Sequence, residues 1–226
     1  MPAKKKPAKK MPTRKMPAKK TPPKAPTSRK KAPNTMAPCR LPLIADEAMT
    51  PAQRALMASI SSGPRGRFKM SGPFYCYLHA PAFGELAQNL GAHLRFGTGI
   101  APRLSEFAIL ATARHWKSQY EWAAHAIIAE QKGVTPETIR DLRAGRYPKK
   151  APKDERAIFD FIAEVYQHKR VGDRTYKAVH ALLGDAGTVE LVGLLGYYAL
   201  VAMTLDVFRM PIPDGTPLPF AEPAIR

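Results

Sequence analysis

The sequence predicts an all-α protein, a bundle of roughly seven or eight helices preceded by a disordered basic tail. Three observations carry that expectation. Beyond residue 50, apolar residues recur at helical spacing, and no stretch alternates with the period of two that a half-buried strand needs. Helix-start signals, such as Thr50-Pro51 and Thr135-Pro136, divide the chain into short segments. The charge is divided too. Residues 1–40 hold 11 Lys and 3 Arg with no acid, and the remainder holds 22 basic and 18 acidic residues, so +14 of the net +18 lies in the tail and +4 in the body. The high isoelectric point therefore says little about the folded part.

The tail, residues 1–40, is low in complexity, with PAKK at 2–5, 7–10 and 17–20. Proline removes backbone donors, lysines repel one another, and almost no apolar area is available to offset the entropy of ordering. Such a polycation is expected to make weak, salt-dependent, non-specific contacts with nucleic acid or another polyanion. It is equally a solubilising extension. No aromatic is interleaved for base stacking. The folded domain is expected over residues 41–226.

Taken in order, residues 41–49 read as a linker. Thr50-Pro51 opens a short helix through Ile60. Residues 61–72 (SSGPRGRFKMSG) form a loop that carries Arg65 and Arg67. The apolar, aromatic stretch Pro73 to Pro81 contains His79 and is assigned no element. Pro81 opens a helix with Phe83, Leu86, Leu90 and Leu94 at helical spacing. A helix from about Leu104 to Trp116 is apolar over much of its girth, the mark of a central helix. Tyr120 to Gln131 is helical and stops at Gly133. Thr135 caps the next helix, which ends near Gly145. Asp154 to His168 is amphipathic. Asp173 is read as capping a helix with Tyr176, Val179 and Leu183, and Thr188 to Phe208 is a long apolar helix. The Pro-rich end is extended.

Composition sets limits on function. Cys39 and Cys76 form no CxxC and imply no disulfide framework, so a reduced, cytoplasmic setting is expected. No apolar segment follows the first lysines as a secretory signal would require. The longest apolar run, Leu191 to Leu205, falls short of the roughly 20 residues that cross a bilayer and reads as buried core, so no membrane partner is expected. His93, His115, His168 and His180 show no metal-ligating spacing, and neither a metal nor a cofactor is expected.

The stretch from residue 104 to residue 133 is where titratable groups, aromatics and an apolar lining meet. Glu121 and His125 are four residues apart and share a helical face, so the carboxylate is expected beside the imidazole, a pair fit for proton transfer. Glu106, on the preceding helix, reaches the same pocket if the two helices pack antiparallel. The plainer readings stand alongside: Glu121 as a first-turn acid favoured by the helix dipole, and His125 as a satisfied core histidine. Arg65 and His79 suit a substrate carboxylate, or else are a solvated loop arginine and a loop-capping histidine. Trp122 and Tyr120 read as core or interface.

SEFAILATARHWKSQYEWAAHAIIAEQKGVTPETI, followed by DERAIFDF, RVGDRTY and VELVGLLGYYALVAMTLDVFRMPIPDG, resembles the carboxymuconolactone decarboxylase family, which includes the AhpD-like alkylhydroperoxidases. The resemblance spans about residues 50–215. It implies an AhpD-like helical bundle and a homo-oligomer with helices packed across subunits. In the redox branch of that family a Glu precedes a CxxC pair and a His follows. Glu106 and His125 match the Glu and His, whereas the two cysteine positions fall on Ser118 and Glu121. Thiol peroxidase turnover needs a nucleophilic and a resolving thiol, so the resemblance points to the decarboxylase-type branch. It implies a cofactor-free lyase, of the kind met in aromatic catabolism, acting on a small carboxylated lactone or related acid. His125, Glu106 and Glu121 would be catalytic, and Arg65 and His79 would bind substrate. The alternatives are a non-catalytic oligomeric scaffold with polyanion-binding tails, and an AhpD-like peroxidase using Cys76.

Overall fold

The structure, a computed structural model, describes residues 38–66, 70–212 and 216–222. The expectations placed on residues 1–37 and on Arg67 lie outside the described residues. Residues 38–40, assigned to the tail in the sequence, make contacts with the body. The Arg40 backbone N–H donates to Phe208 O at 3.0 Å and its guanidinium to Val207 O at 2.9 Å, while Cys39 Sγ lies 3.8 Å from Met210 Sδ.

The described residues are all-helical. A 3-10 turn at Asp46–Ala48 interrupts the expected linker and precedes α1 (Pro51–Ser62), α2 (Pro73–Tyr77), α3 (Pro81–Phe96), α4 (Pro102–Trp116), α5 (Gln119–Gln131), α6 (Pro136–Arg143), α7 (Lys153–His168) and α8 (Asp173–Phe208). α1, α2, α3, α4 and α6 begin on proline, where the missing N–H is no loss and φ is already helical. Thr50 adds a full capping box with Gln53. α2 has no counterpart in the sequence reading. Five residues are too few for a periodic signal, and the turn depends on Gly72 at φ 59° feeding Pro73.

α4 is the centre of the fold. It packs against α5, α6, α7 and α8, and Leu104 to Ala113 are buried without a break. This is why its sequence is apolar on nearly every side. Only two residues join α4 to α5. Lys117 takes the left-handed conformation at φ 55° and closes α4, and Ser118 starts α5. So short a link folds α5 back against α4. At the other end, Arg103 grips Asp154 and the fully buried Glu155 with its two guanidinium arms, tying the start of α4 to the start of α7.

α8 differs from expectation in two details. Asp173 is not the cap. Gly172 holds that position, with its N–H donated to Glu164 Oε2 at 2.7 Å, and Asp173 is the first helical residue, where an acid suits the dipole. The two helices read from the sequence form one element broken at Gly184, whose φ of 67° and ψ of −171° are not helical. By length and composition α8 is apolar enough to cross a membrane. In this fold it packs on α2, α3, α4, α5 and α7, burying Leu191, Leu194, Leu195, Tyr198, Val201 and Leu205 among others. Gly91 lets α3 approach it: a Cβ there would sit 2.1 Å from the Tyr197 hydroxyl.

Candidate active site

The α4–α5 hairpin brings Glu106 and His125 together. Glu106 is 4% exposed and His125 8%, and Oε2 of the carboxylate meets Nδ1 of the ring at 2.6 Å. The other carboxylate oxygen, Oε1, accepts from Arg95 Nε at 3.4 Å and Nη2 at 3.3 Å. Arg95 stands in the last turn of α3, a position that favours a cation. Burial pushes the Glu106 carboxyl up, but the His125 ring and the Arg95 guanidinium together outweigh it and hold the group below its ordinary value. Glu106 is therefore an anion bridging a cation and an imidazole. With Nδ1 engaged by Glu106, Nε2 is the nitrogen left for chemistry.

His125 lines a cavity of about 380 Å³ between α3, α5, α8 and the segment before α2, a volume suited to a small ligand. Arg65, Arg95, Tyr120, Glu121 and Tyr198 also line it. The Tyr198 ring meets His125 edge to face at 5.2 Å and limits its tilt. The rim is pinned by Tyr120, whose hydroxyl is 2.9 Å from Ser71 Oγ and whose ring lies where a Cβ on Gly72 would come within 2.7 Å.

The expected Glu121–His125 pairing is not what the structure shows. Both residues face the cavity, as their spacing requires, but among the described residues no polar group satisfies either Glu121 oxygen. The carboxylate on His125 is that of Glu106, because the two-residue link lets α4 reach the ring from behind. Glu121 is 2% exposed. Burial, reinforced by the charge of Asp206, pushes its carboxyl well above the ordinary range. Burial therefore favours the protonated form of this acid in the cavity wall.

The remaining sequence candidates divide. Arg65 is brought to the cavity. Its guanidinium lies 5.1 Å from the Phe74 ring centroid and 5.9 Å from that of Phe96, and Nη1 reaches Gln88 Oε1 at 3.4 Å. It is in no ion pair among the described residues, so a half-buried guanidinium remains available to an anion. His79 does not line the cavity; it packs edge to face on Tyr75 at 5.6 Å. Trp122 is core, against Phe220, while Tyr120 lines the cavity. Sequence reasoning missed Arg95, because nothing in the spacing of residues 95 and 106 marks an ion pair, and Tyr198, because a tyrosine in an apolar run reads as core.

Ser118, at the first family cysteine position, is fully buried. Cys76 belongs to the hydrophobic core, and burial pushes its thiol up to about 12. Neither cysteine lines the cavity. Among the described residues no group of three or more His, Cys, Asp or Glu is placed to hold a metal ion.

No protein-family model matches the chain, and no curated protein matches its sequence. Solved structures do. The chain is similar to an alkylhydroperoxidase AhpD core, an uncharacterized peroxidase-related protein from Ralstonia eutropha, with 18% identity and a TM-score of 0.64 over 78% of this chain and 93% of that one. It is similar to the debrominase Bmp8, with 10% identity and a TM-score of 0.59 over 76% of this chain and 91% of that one. A protein of unknown function from Agrobacterium tumefaciens matches at 15% identity and a TM-score of 0.55, over 61% of this chain and 95% of that one. Likeness at these identities establishes the fold, which is AhpD-like.

Proposed function

We propose that this AhpD-like fold houses a cofactor-free lyase that decarboxylates a small carboxylated lactone or related unsaturated acid. The observation that carries the reading is the Glu106–His125 contact at 2.6 Å in the wall of a cavity, on a hairpin with Ser118 and Glu121 at the two cysteine positions. Acid–base groups are in place and thiols are not.

The chemistry follows from the groups. Arg65 binds the anionic substrate, its planar fork matching a carboxylate. The bond from carbon to the departing carboxylate breaks, CO2 leaves, and the electron pair moves into the adjacent conjugated carbonyl as a dienolate. The Arg95 and Arg65 cations in the cavity wall favour that charge. His125 Nε2 delivers a proton to carbon, and the neutral acid Glu121 resupplies it. Glu106 orients the ring through Nδ1. The sum is one carboxylate and one proton consumed, one C–H product and one CO2 released.

The test is CO2 release from a panel of small γ-carboxy lactones and unsaturated acids. His125→Ala should lower turnover by about 10²–10⁴, the usual contribution of a positioned acid or base. A variant with wild-type turnover on an acid that the wild type decarboxylates would overturn the assignment.

The reading includes self-association with a second copy of the chain. Val189, Val192, Met203 and Val207 are exposed and fall on one face of α8, with the exposed Gly196 between them. Phe83, Leu86 and Leu90 form a similar exposed stripe on α3, the helix beside it. Apolar stripes of this length are characteristic of subunit interfaces. Sedimentation at micromolar concentration should show an oligomer, and Val192→Asp with Met203→Asp should return it to monomer. A wild-type monomer contradicts the expectation.

A further inference from the structure

A second group of charges takes no part in that chemistry. It lies where α4 and α6 end and the C-terminal segment crosses them. Arg114, Lys117 and Arg143 line a surface cleft of about 310 Å³ together with Pro219, Phe220 and Ala221. No carboxylate lines the cleft, and none of the three cations is in an ion pair among the described residues.

The cleft is held in shape. Phe220 is fixed from both sides by the Gln119 amide, which accepts from its N–H at 3.0 Å and donates to its carbonyl at 2.9 Å. The Arg114 guanidinium stacks over the Phe220 ring at 5.3 Å, and Arg143 Nε donates to Pro219 O at 3.0 Å. Gly145, at φ 70°, closes on Arg114 so tightly that a Cβ would come within 2.8 Å of Nη2. Arg114 Nε is buried and has no acceptor among the described residues.

Helix dipoles account for cations at these two helix ends. They do not account for three cations lining one cleft with no carboxylate among its described lining residues. Nor do they account for a buried N–H of a charged group left without an acceptor among the described residues, which is unfavourable. An entering anion supplies the counter-charge that the described lining lacks. Three positive charges match a dianion better than a monoanion, and two guanidinium forks match the oxygens of phosphate. We infer that the cleft formed by Arg114, Lys117 and Arg143 binds a phosphate group, either as inorganic phosphate or as the end of a small phosphate ester.

The test is calorimetric titration of the full chain at fixed ionic strength with inorganic phosphate and, separately, with phenyl phosphate, against a chloride control. The comparison protein is Lys117→Gln/Arg143→Gln. Both residues are exposed and outside the proposed catalytic cavity, and the basic tail is common to both proteins, so its contribution cancels. The wild type should give a saturable one-site isotherm with at least one of the two ligands, weakened tenfold or more in the variant. Phosphate should raise the Tm of the wild type and not that of the variant. Tighter phenyl phosphate binding assigns the site to an ester, and equal or tighter inorganic phosphate binding assigns it to the free ion. A wild-type isotherm no different from chloride, or equal binding by the variant, overturns the inference.

Discussion

Replacing Glu106 with Gln is expected to lower turnover by about 10²–10⁴ and to destabilise the fold by about 3 kcal/mol, which at this chain length lowers Tm by roughly 6–12 °C. The amide keeps the shape of the carboxylate and loses its charge. Arg95 would then keep only a weak acceptor in a site that is 4% exposed on the Glu106 side. The Arg95 side chain is partly open to water, with 23% of its surface exposed, so the penalty falls at the lower end for a broken buried pair. His125 would lose the anion that fixes its orientation. The pH dependence has a definite sign. The Glu106 carboxyl lies below its ordinary value of 4.5, so its contribution is fully present above that pH and is lost as the pH falls through the lower folded value. Thermal melts between about pH 3 and pH 7 should show an acid slope in the wild type that is reduced in the variant. Equal melting temperatures at neutral pH, with equal acid slopes, would remove Glu106 from its bridging role.

The architecture was legible where local signals suffice. Proline starts at residues 51, 81 and 136, the Thr50 and Thr135 caps and the apolar girth of residues 104–113 are short-range features, and the structure carries each of them. The site was legible in part. His125 and Glu121 share a cavity wall because a four-residue spacing on a helix dictates it. Which carboxylate touches the ring was not legible, because that depends on how α4 lies against α5, and a two-residue link with Lys117 in the left-handed conformation decides it. Arg95 illustrates the same limit. Its partner is eleven residues away across a loop, and no helical periodicity relates the two. Phe220 sits in a proline-rich end that reads as extended, yet it is nearly buried, because a single glutamine side chain on α5 captures both its backbone groups.

Replacing Glu121 with Met is expected to stabilise the protein while lowering turnover. Glu121 is 2% exposed and neither carboxyl oxygen has a partner among the described residues. An apolar side chain of similar length removes that desolvation penalty, worth about 1–3 kcal/mol, which raises Tm by roughly 2–12 °C. The gain should grow with pH. The folded group ionises well above its ordinary value of 4.5, so the unfolded chain releases the proton first, and wild-type stability declines as the pH rises from that value toward the folded one. The Met variant has no such slope, and melts at about pH 5 and about pH 8 should differ less than in the wild type. Turnover on the same acid substrate should fall by about 10²-fold or more if Glu121 resupplies His125. A stabilised variant with full turnover would leave Glu121 a buried acid without a role, and a variant less stable at every pH would mean that its oxygens are satisfied. Stability gained as activity is lost is the mark of a group kept for chemistry against the interest of the fold. In the wall of the same cavity as His125, a buried carboxylic acid supplies what no apolar residue can: a proton held to higher pH than an ordinary carboxyl holds it.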